Sequence, residues 1–147
     1  GLYDWRYDLA FVGAHAQYLM NHFWRSDISV SFPRLRDTPS TLPHSYSVSD
    51  SSFVQMLLAM RLFLPSVHLV ISTRETADFR DPLLALVVTQ ISAESKTNPG
   101  GYSHLETDEQ FSISDSRSLL TLQKMLHSKG LDPVFRDWSS EFQGINC

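Results

Sequence analysis

The sequence predicts an α/β fold built on a parallel sheet, and three observations carry that reading. Helix-like and strand-like segments alternate along the chain; each strand-like piece is short and apolar or alternating; and each is followed by enough chain for a helix to return to the next strand. In such a fold the C-terminal ends of all strands share one edge, and ligands bind there.

The elements follow in order. Over residues 4–24, Trp5, Leu9, Val12, Ala16, Leu19, Met20 and Phe23 recur at three- and four-residue steps, the spacing of one helical face, with Asp4 placed to cap its start. Residues 28–32 alternate apolar and small polar side chains up to Pro33, which marks a strand end. Residues 37–47 carry turn chemistry in Pro39, Pro43 and several hydroxyls. A second helix is predicted from Ser49 or Asp50 through Phe53, Leu57, Met60 and Leu64, stopping at Pro65. The run 67–71 reads as a buried strand, 79–86 as a short helix with Pro82 in its first turn, and 87–91 as a third strand. Asn98, Pro99, Gly100 and Gly101 open a long loop reaching to about Ser114. Asp115 is expected to cap a last helix carrying Leu119, Leu122, Met125 and Leu126, with Gly130 closing it, and 134–136 reads as a short extended piece.

A chain of 147 residues accommodates one ordinary core, and the net charge of −4 with scattered Lys and Arg offers no basic face for nucleic acid. No apolar run approaches the ~20 residues of a membrane span, and the N-terminus lacks the pattern of a secretion signal. The simplest expectation is therefore a soluble, cytoplasmic protein without nucleic-acid or membrane partners. The lone cysteine, Cys147, allows neither an internal disulfide nor a multi-thiolate metal site within this chain. Gly1 stands where a methionine would begin a protein, and 1–4 reads as a turn after a strand, so a fragment is expected.

The segments after the three strands, 31–36, 72–75 and 92–96, should converge on one rim. Ser72-Thr73-Arg74-Glu75 is the most informative of them. Continued pleating would aim Ser72 and Arg74 to one side, where the planar guanidinium suits a carboxylate or phosphate and the Ser72 and Ser92 hydroxyls complete the grip. Spacing alone also serves a plainer reading, with Arg74 paired to Glu75 or Asp78 at the surface. Arg34 and Arg36 are likewise either pocket residues or solvated loop arginines, and 98–102 either a flap or a surface loop. His15 and His22 are too far apart for a helical metal pair, and His68 sits within a strand. There is no zinc pattern, Gly-rich phosphate loop, nucleophile elbow or Cys/His nucleophile pair.

The landmarks Gly1-Leu2-Tyr3-Asp4-Trp5, Ser31-Phe32-Pro33-Arg34-Leu35-Arg36, Ser72-Thr73-Arg74-Glu75, Phe79-Arg80-Asp81, Ser92-Ala93, Pro99-Gly100-Gly101-Tyr102, Gln110-Phe111 and Val134-Phe135-Arg136-Asp137-Trp138 span nearly the whole chain. Together they resemble the radical S-adenosylmethionine tyrosine lyases of bacterial thiamine biosynthesis, the 2-iminoacetate synthases. The resemblance implies the C-terminal part of a (β/α)8 TIM-type barrel, about three parallel strands with flanking helices, plus a C-terminal extension. It divides the chain into a half-barrel over 1–114 and an extension over 115–147 of the thiamine and biotin synthesis-associated kind. It further implies S-adenosylmethionine and a [4Fe-4S] cluster as cofactors, and cleavage of the Cα–Cβ bond of L-tyrosine to 2-iminoacetate (dehydroglycine) and p-cresol. A thiazole synthase and an electron donor protein are the implied partners. On this resemblance Ser72 and Arg74 bind the substrate carboxylate, Ser92 neighbours them, and Arg34 and Glu75 contact S-adenosylmethionine.

The family's cluster-binding cysteine triad is absent from this sequence, so the chain alone is expected to hold no cluster and to be catalytically silent. Two other readings stand beside this one: a βα domain that binds an amino acid or a protein partner without catalysis, and the tyrosine lyase of hydrogenase maturation, which shares the Ser-Thr-Arg-Glu and Gly-Gly-Tyr landmarks. An incomplete barrel is also expected to have open sheet edges and an uncovered apolar interior.

Overall fold

The computed structural model describes residues 1–35, 46–97 and 113–135, arranged in two compact units, Gly1–Ser116 and Arg117–Cys147. The first unit opens with helix α1, Trp5–His22, whose Asp4 cap accepts the Arg6 N–H at 3.0 Å. Strand β1, Ser29–Ser31, leads to helix α2, Asp50–Phe63, capped by the Ser49 hydroxyl on the Ser52 N–H at 3.2 Å. Strand β2, His68–Ile71, helix α3, Ala77–Leu84, and strand β3, Gln90–Ile91, complete the described part of the unit. The three strands are parallel in the order β1-β2-β3, with Val30 opposite Leu69 and Ile71 opposite Ile91.

Sequential strand order and right-handed crossovers together place connecting helices on a single face of a sheet. The core agrees: Val30, Leu69 and Ile71 bury with Ala16 of α1, with Phe53, Leu57 and Met60 of α2, and with Leu83 of α3. Ser29, Ser31, His68, Val70 and Gln90 alternate with these and belong to the opposite, open face, where the Ser29 hydroxyl bonds Gln90 Oε1 at 3.2 Å. This corrects the expected apolar interior. The described open face is mainly polar, because the large apolar side chains of these strands point to the helices.

Helices α1 and α2 approach closely at Gly13, where a Cβ would meet the Phe63 ring at 3.3 Å. The C-terminal end of α2 is fastened by Arg61, whose Nη1 donates to the Pro65 and Val67 carbonyls at 2.7 and 2.8 Å and whose Nη2 donates to the Val87 carbonyl at 2.8 Å. The boundaries around α3 depart from the sequence reading. Helix α3 begins at Ala77 rather than Phe79, so Pro82 lies in its last turns instead of its first. The N–H groups of Leu86, Val87 and Val88 all turn back to the Leu83 carbonyl, so β3 starts at Gln90 rather than Val87.

The second unit carries helix α4, Leu119–Ser128, which buries Leu122 and Leu126 one turn apart. Its cap is Ser118, which accepts the Thr121 N–H at 3.3 Å; the expected cap, Asp115, is engaged elsewhere. The helix closes as read from the sequence: Gly130 takes φ +73°, and the Leu131 N–H reaches back to the Leu126 carbonyl at 3.0 Å. Residues 134 and 135 form no strand, and Arg136 lies outside the described residues, as do Arg36 and the loop over 98–112. No helix among the described residues is long and apolar enough to cross a membrane.

Candidate functional site at the C-terminal rim of the sheet

The chain turns sharply as it leaves β2. The Glu75 N–H donates to the Ser72 carbonyl at 3.3 Å, closing a four-residue turn, and the Arg74 N–H lies 3.4 Å from the Ser72 hydroxyl oxygen. This corrects the argument that strand alternation aligns Ser72 with Arg74. The pleat ends at the turn, and local backbone geometry brings the two residues together instead. Ser72 and Arg74 are both half-buried, and Arg74 Nε is shielded from solvent. Ser92, also half-buried, stands one step beyond the Ile71–Ile91 pair, with its N–H on the Ile71 carbonyl at 3.2 Å. Ser72 and Ser92 are therefore adjacent strand exits, as the sequence predicted.

Arg34 and Glu75 are brought together in another way. Their side chains are 8% and 3% exposed, and they meet in a two-point ion pair: Nε donates to Oε1 at 3.0 Å and Nη2 donates to Oε2. Nη1 of Arg34 donates to Asp50 Oδ1 at 2.7 Å and to the Val48 carbonyl at 3.1 Å. The guanidinium also lies 4.8 Å from the Phe53 ring centroid and 5.0 Å from that of Phe79. Burial acts against its charge, but the hydrogen bonds and charges of Glu75 and Asp50 outweigh burial and hold Arg34 above the ordinary arginine value. The polar groups of Arg34 are thus directed to Glu75 and the start of α2.

The turn is held from a third direction by residues that sequence reasoning did not assign to the site. The carbonyl of buried Thr73 accepts the N–H groups of Ser114 and Asp115 at 2.9 and 3.0 Å. The Asp115 carboxylate receives Nη1 of fully buried Arg80, and Nη2 of Arg80 donates to the Ser92 carbonyl. The only signal in the sequence was the Phe79-Arg80-Asp81 landmark, which says nothing of a partner 35 residues away.

A cavity of about 350 Å³ lies in the helix layer, among Trp5, Val12, Phe32, Arg34, Val48 and Phe53. Ser72, Arg74 and Ser92 do not line it. Among the described residues no three His, Cys, Asp or Glu side chains converge to hold a metal, and Cys147 lies outside them. The described residues do not fit an iron–sulfur cluster.

The fold defines an α/β segment with three parallel strands and flanking helices, and comparison with known proteins names its family. Residues 31–132 match the Biotin and Thiamin Synthesis associated domain, and the chain belongs to that family. It is 42% identical over 143 residues to the 2-iminoacetate synthase of Salmonella typhimurium strain LT2, and 41% identical over 142 residues to that of Escherichia coli strain K12. Each alignment covers 95% of this chain and 38% of the relative, so the chain spans well under half the length of these curated proteins. Among solved structures it is similar to HydG, a maturase of the [FeFe]-hydrogenase, with a TM-score of 0.83 and 32% identity over 93% of this chain and 30% of that one. The HydG from Carboxydothermus hydrogenoformans gives a TM-score of 0.72 and 38% identity over 86% of this chain and 29% of that one.

Proposed function

We propose that this chain is the substrate-binding portion of a radical S-adenosylmethionine tyrosine lyase that cleaves the Cα–Cβ bond of L-tyrosine to 2-iminoacetate and p-cresol for thiamine thiazole synthesis. The observation that carries the reading is the turn over 72–75: a fixed loop at a parallel sheet's C-terminal rim, bearing Ser72 and Arg74 beside Ser92, in a chain 42% identical to a 2-iminoacetate synthase. The Arg74 guanidinium and the two hydroxyls bind and orient the amino-acid carboxylate. The sequential strands with helices on one face are what the C-terminal portion of a (β/α)8 barrel requires, over 1–114, with 115–147 as its extension. S-adenosylmethionine and a [4Fe-4S] cluster supply the radical chemistry from other parts of the longer enzyme. Its proposed location is the cytoplasm, and a thiazole synthase and an electron donor protein are its proposed partners.

In this proposal Arg34 and Glu75 serve the cofactor side of the rim indirectly. Their charges are met by each other and by Asp50, so they act by holding the turn rather than as free ligands for S-adenosylmethionine.

The test is tyrosine binding to the longer enzyme by calorimetry. Arg74→Ala is expected to weaken it by ~2 kcal/mol or more, because a carboxylate loses a charged partner. Unchanged affinity refutes the assignment. The similarity to HydG favours a second reading, a tyrosine lyase serving hydrogenase maturation. Restoration of growth without thiamine in a strain lacking 2-iminoacetate synthase supports the first reading, and failure there with a soluble, cluster-loaded protein supports the second.

A further inference from the structure

We propose that Arg80 and Asp115 are positioning residues for the amino-acid site, tying its three segments together without touching substrate. The inference rests on the reading of Arg74 and Ser92 as substrate ligands and deepens it. Both side chains are out of solvent, at 0% and 1% exposure. Arg80 enters from the first turn of α3, with Nη1 donating to the Asp115 carboxylate and Nη2 to the Ser92 carbonyl at the exit of β3. Asp115 in turn lends its backbone N–H, beside that of Ser114, to the Thr73 carbonyl inside the turn that carries Arg74. One buried ion pair therefore links the exit of β2, the exit of β3 and the returning segment at 114–115.

Stability alone does not require charges at this place. A well-packed apolar pair of similar volume usually stabilises a core as well or better than a buried ion pair. What an apolar pair cannot do is direct hydrogen bonds to two main-chain segments at fixed angles. The paired charges are suited to setting the separation of Ser92 from the turn over 72–75, and with it the grip of both on the substrate carboxylate.

The test uses the full-length enzyme loaded with its cofactors, comparing Asp115→Asn, Arg80→Lys, Arg74→Ala and, as a remote core control, Met60→Ala. Asp115→Asn keeps the shape of the side chain and is expected to raise KM for tyrosine ~10-fold while kcat changes less than ~3-fold, the signature of a weakened grip on substrate in ground and transition states alike. Met60→Ala should lower the unfolding midpoint at least as much and leave KM unchanged. If Asp115→Asn leaves KM unchanged while Arg74→Ala raises it, the positioning role is overturned and the substrate site stands. A KM shift in Met60→Ala equal to that in Asp115→Asn also overturns it, since destabilisation alone then explains the effect. If Arg74→Ala leaves KM unchanged, the site itself falls and this inference with it. Should Arg80→Lys fail to fold, Asp115→Asn carries the comparison.

Discussion

Arg34 and Arg74 both follow the end of a strand, yet their surroundings differ. Arg34 is surrounded by two carboxylates, a carbonyl and two aromatic rings, whereas Arg74 is half-buried on a turn. Glu75→Leu strips the buried Arg34 guanidinium of its two-point partner and leaves only the exposed Asp50 carboxylate as counter-charge, so it is expected to destabilise the protein by ~3 kcal/mol in a denaturant titration. The double change Arg34→Met with Glu75→Leu should recover most of that loss; equal losses in the single and double variants would contradict the account. Arg34 contributes no pH dependence near neutrality. Its folded value is raised, so its contribution is complete below the ordinary arginine value and is lost only in strongly alkaline solution. The placement of Ser72 and Ser92 at adjacent strand exits was legible in the sequence, because each directly follows an apolar strand. The burial of Arg34 was not, because it depends on Glu75, 41 residues away.

At the scale of elements, local chemistry was readable wherever one side chain decides the outcome. Asp4 and Ser49 cap α1 and α2, and Gly130 closes α4, each through a bond within a few residues. Asp115 had the same credentials as a cap, but Arg80 claims its carboxylate, and Ser118 begins α4. Val87 and Val88 had strand propensity, but both point into the core from a tight turn. The close approach of α1 to α2 yields a further prediction. The Phe63 ring facing Gly13 is 53% exposed and free to yield a few tenths of an ångström. Gly13→Ala should therefore keep most of the ~0.5–1 kcal/mol that alanine gains over glycine within a helix, seen as a raised unfolding midpoint. A lowered midpoint would mean that the helices cannot adjust.

At the scale of the molecule, the first unit offers more surface for contact than an isolated domain usually does. Among the described residues β1 and β3 each pair only with β2, leaving two strand edges. Phe11, Trp24 and Leu62 are 76%, 75% and 82% exposed. The 147-residue chain alone is expected to self-associate, with a sedimentation coefficient that rises with concentration. A constant monomeric value up to high concentration would contradict this. The parallel architecture was legible in the helix and strand alternation; the polar character of the open sheet face was not, because it depends on which side of each strand the helices cover.

In the proposed site, the turn leaving β2 presents Arg74 to the carboxylate of an amino acid. This is tested most directly by comparing tyrosine with tyramine, which lacks that carboxylate, as ligands of the full-length enzyme and its Arg74→Ala variant. The full-length enzyme is expected to prefer tyrosine by ~30-fold or more, as a charge-assisted contact requires, and the preference is expected nearly to vanish in the variant. An undiminished preference in Arg74→Ala would contradict it.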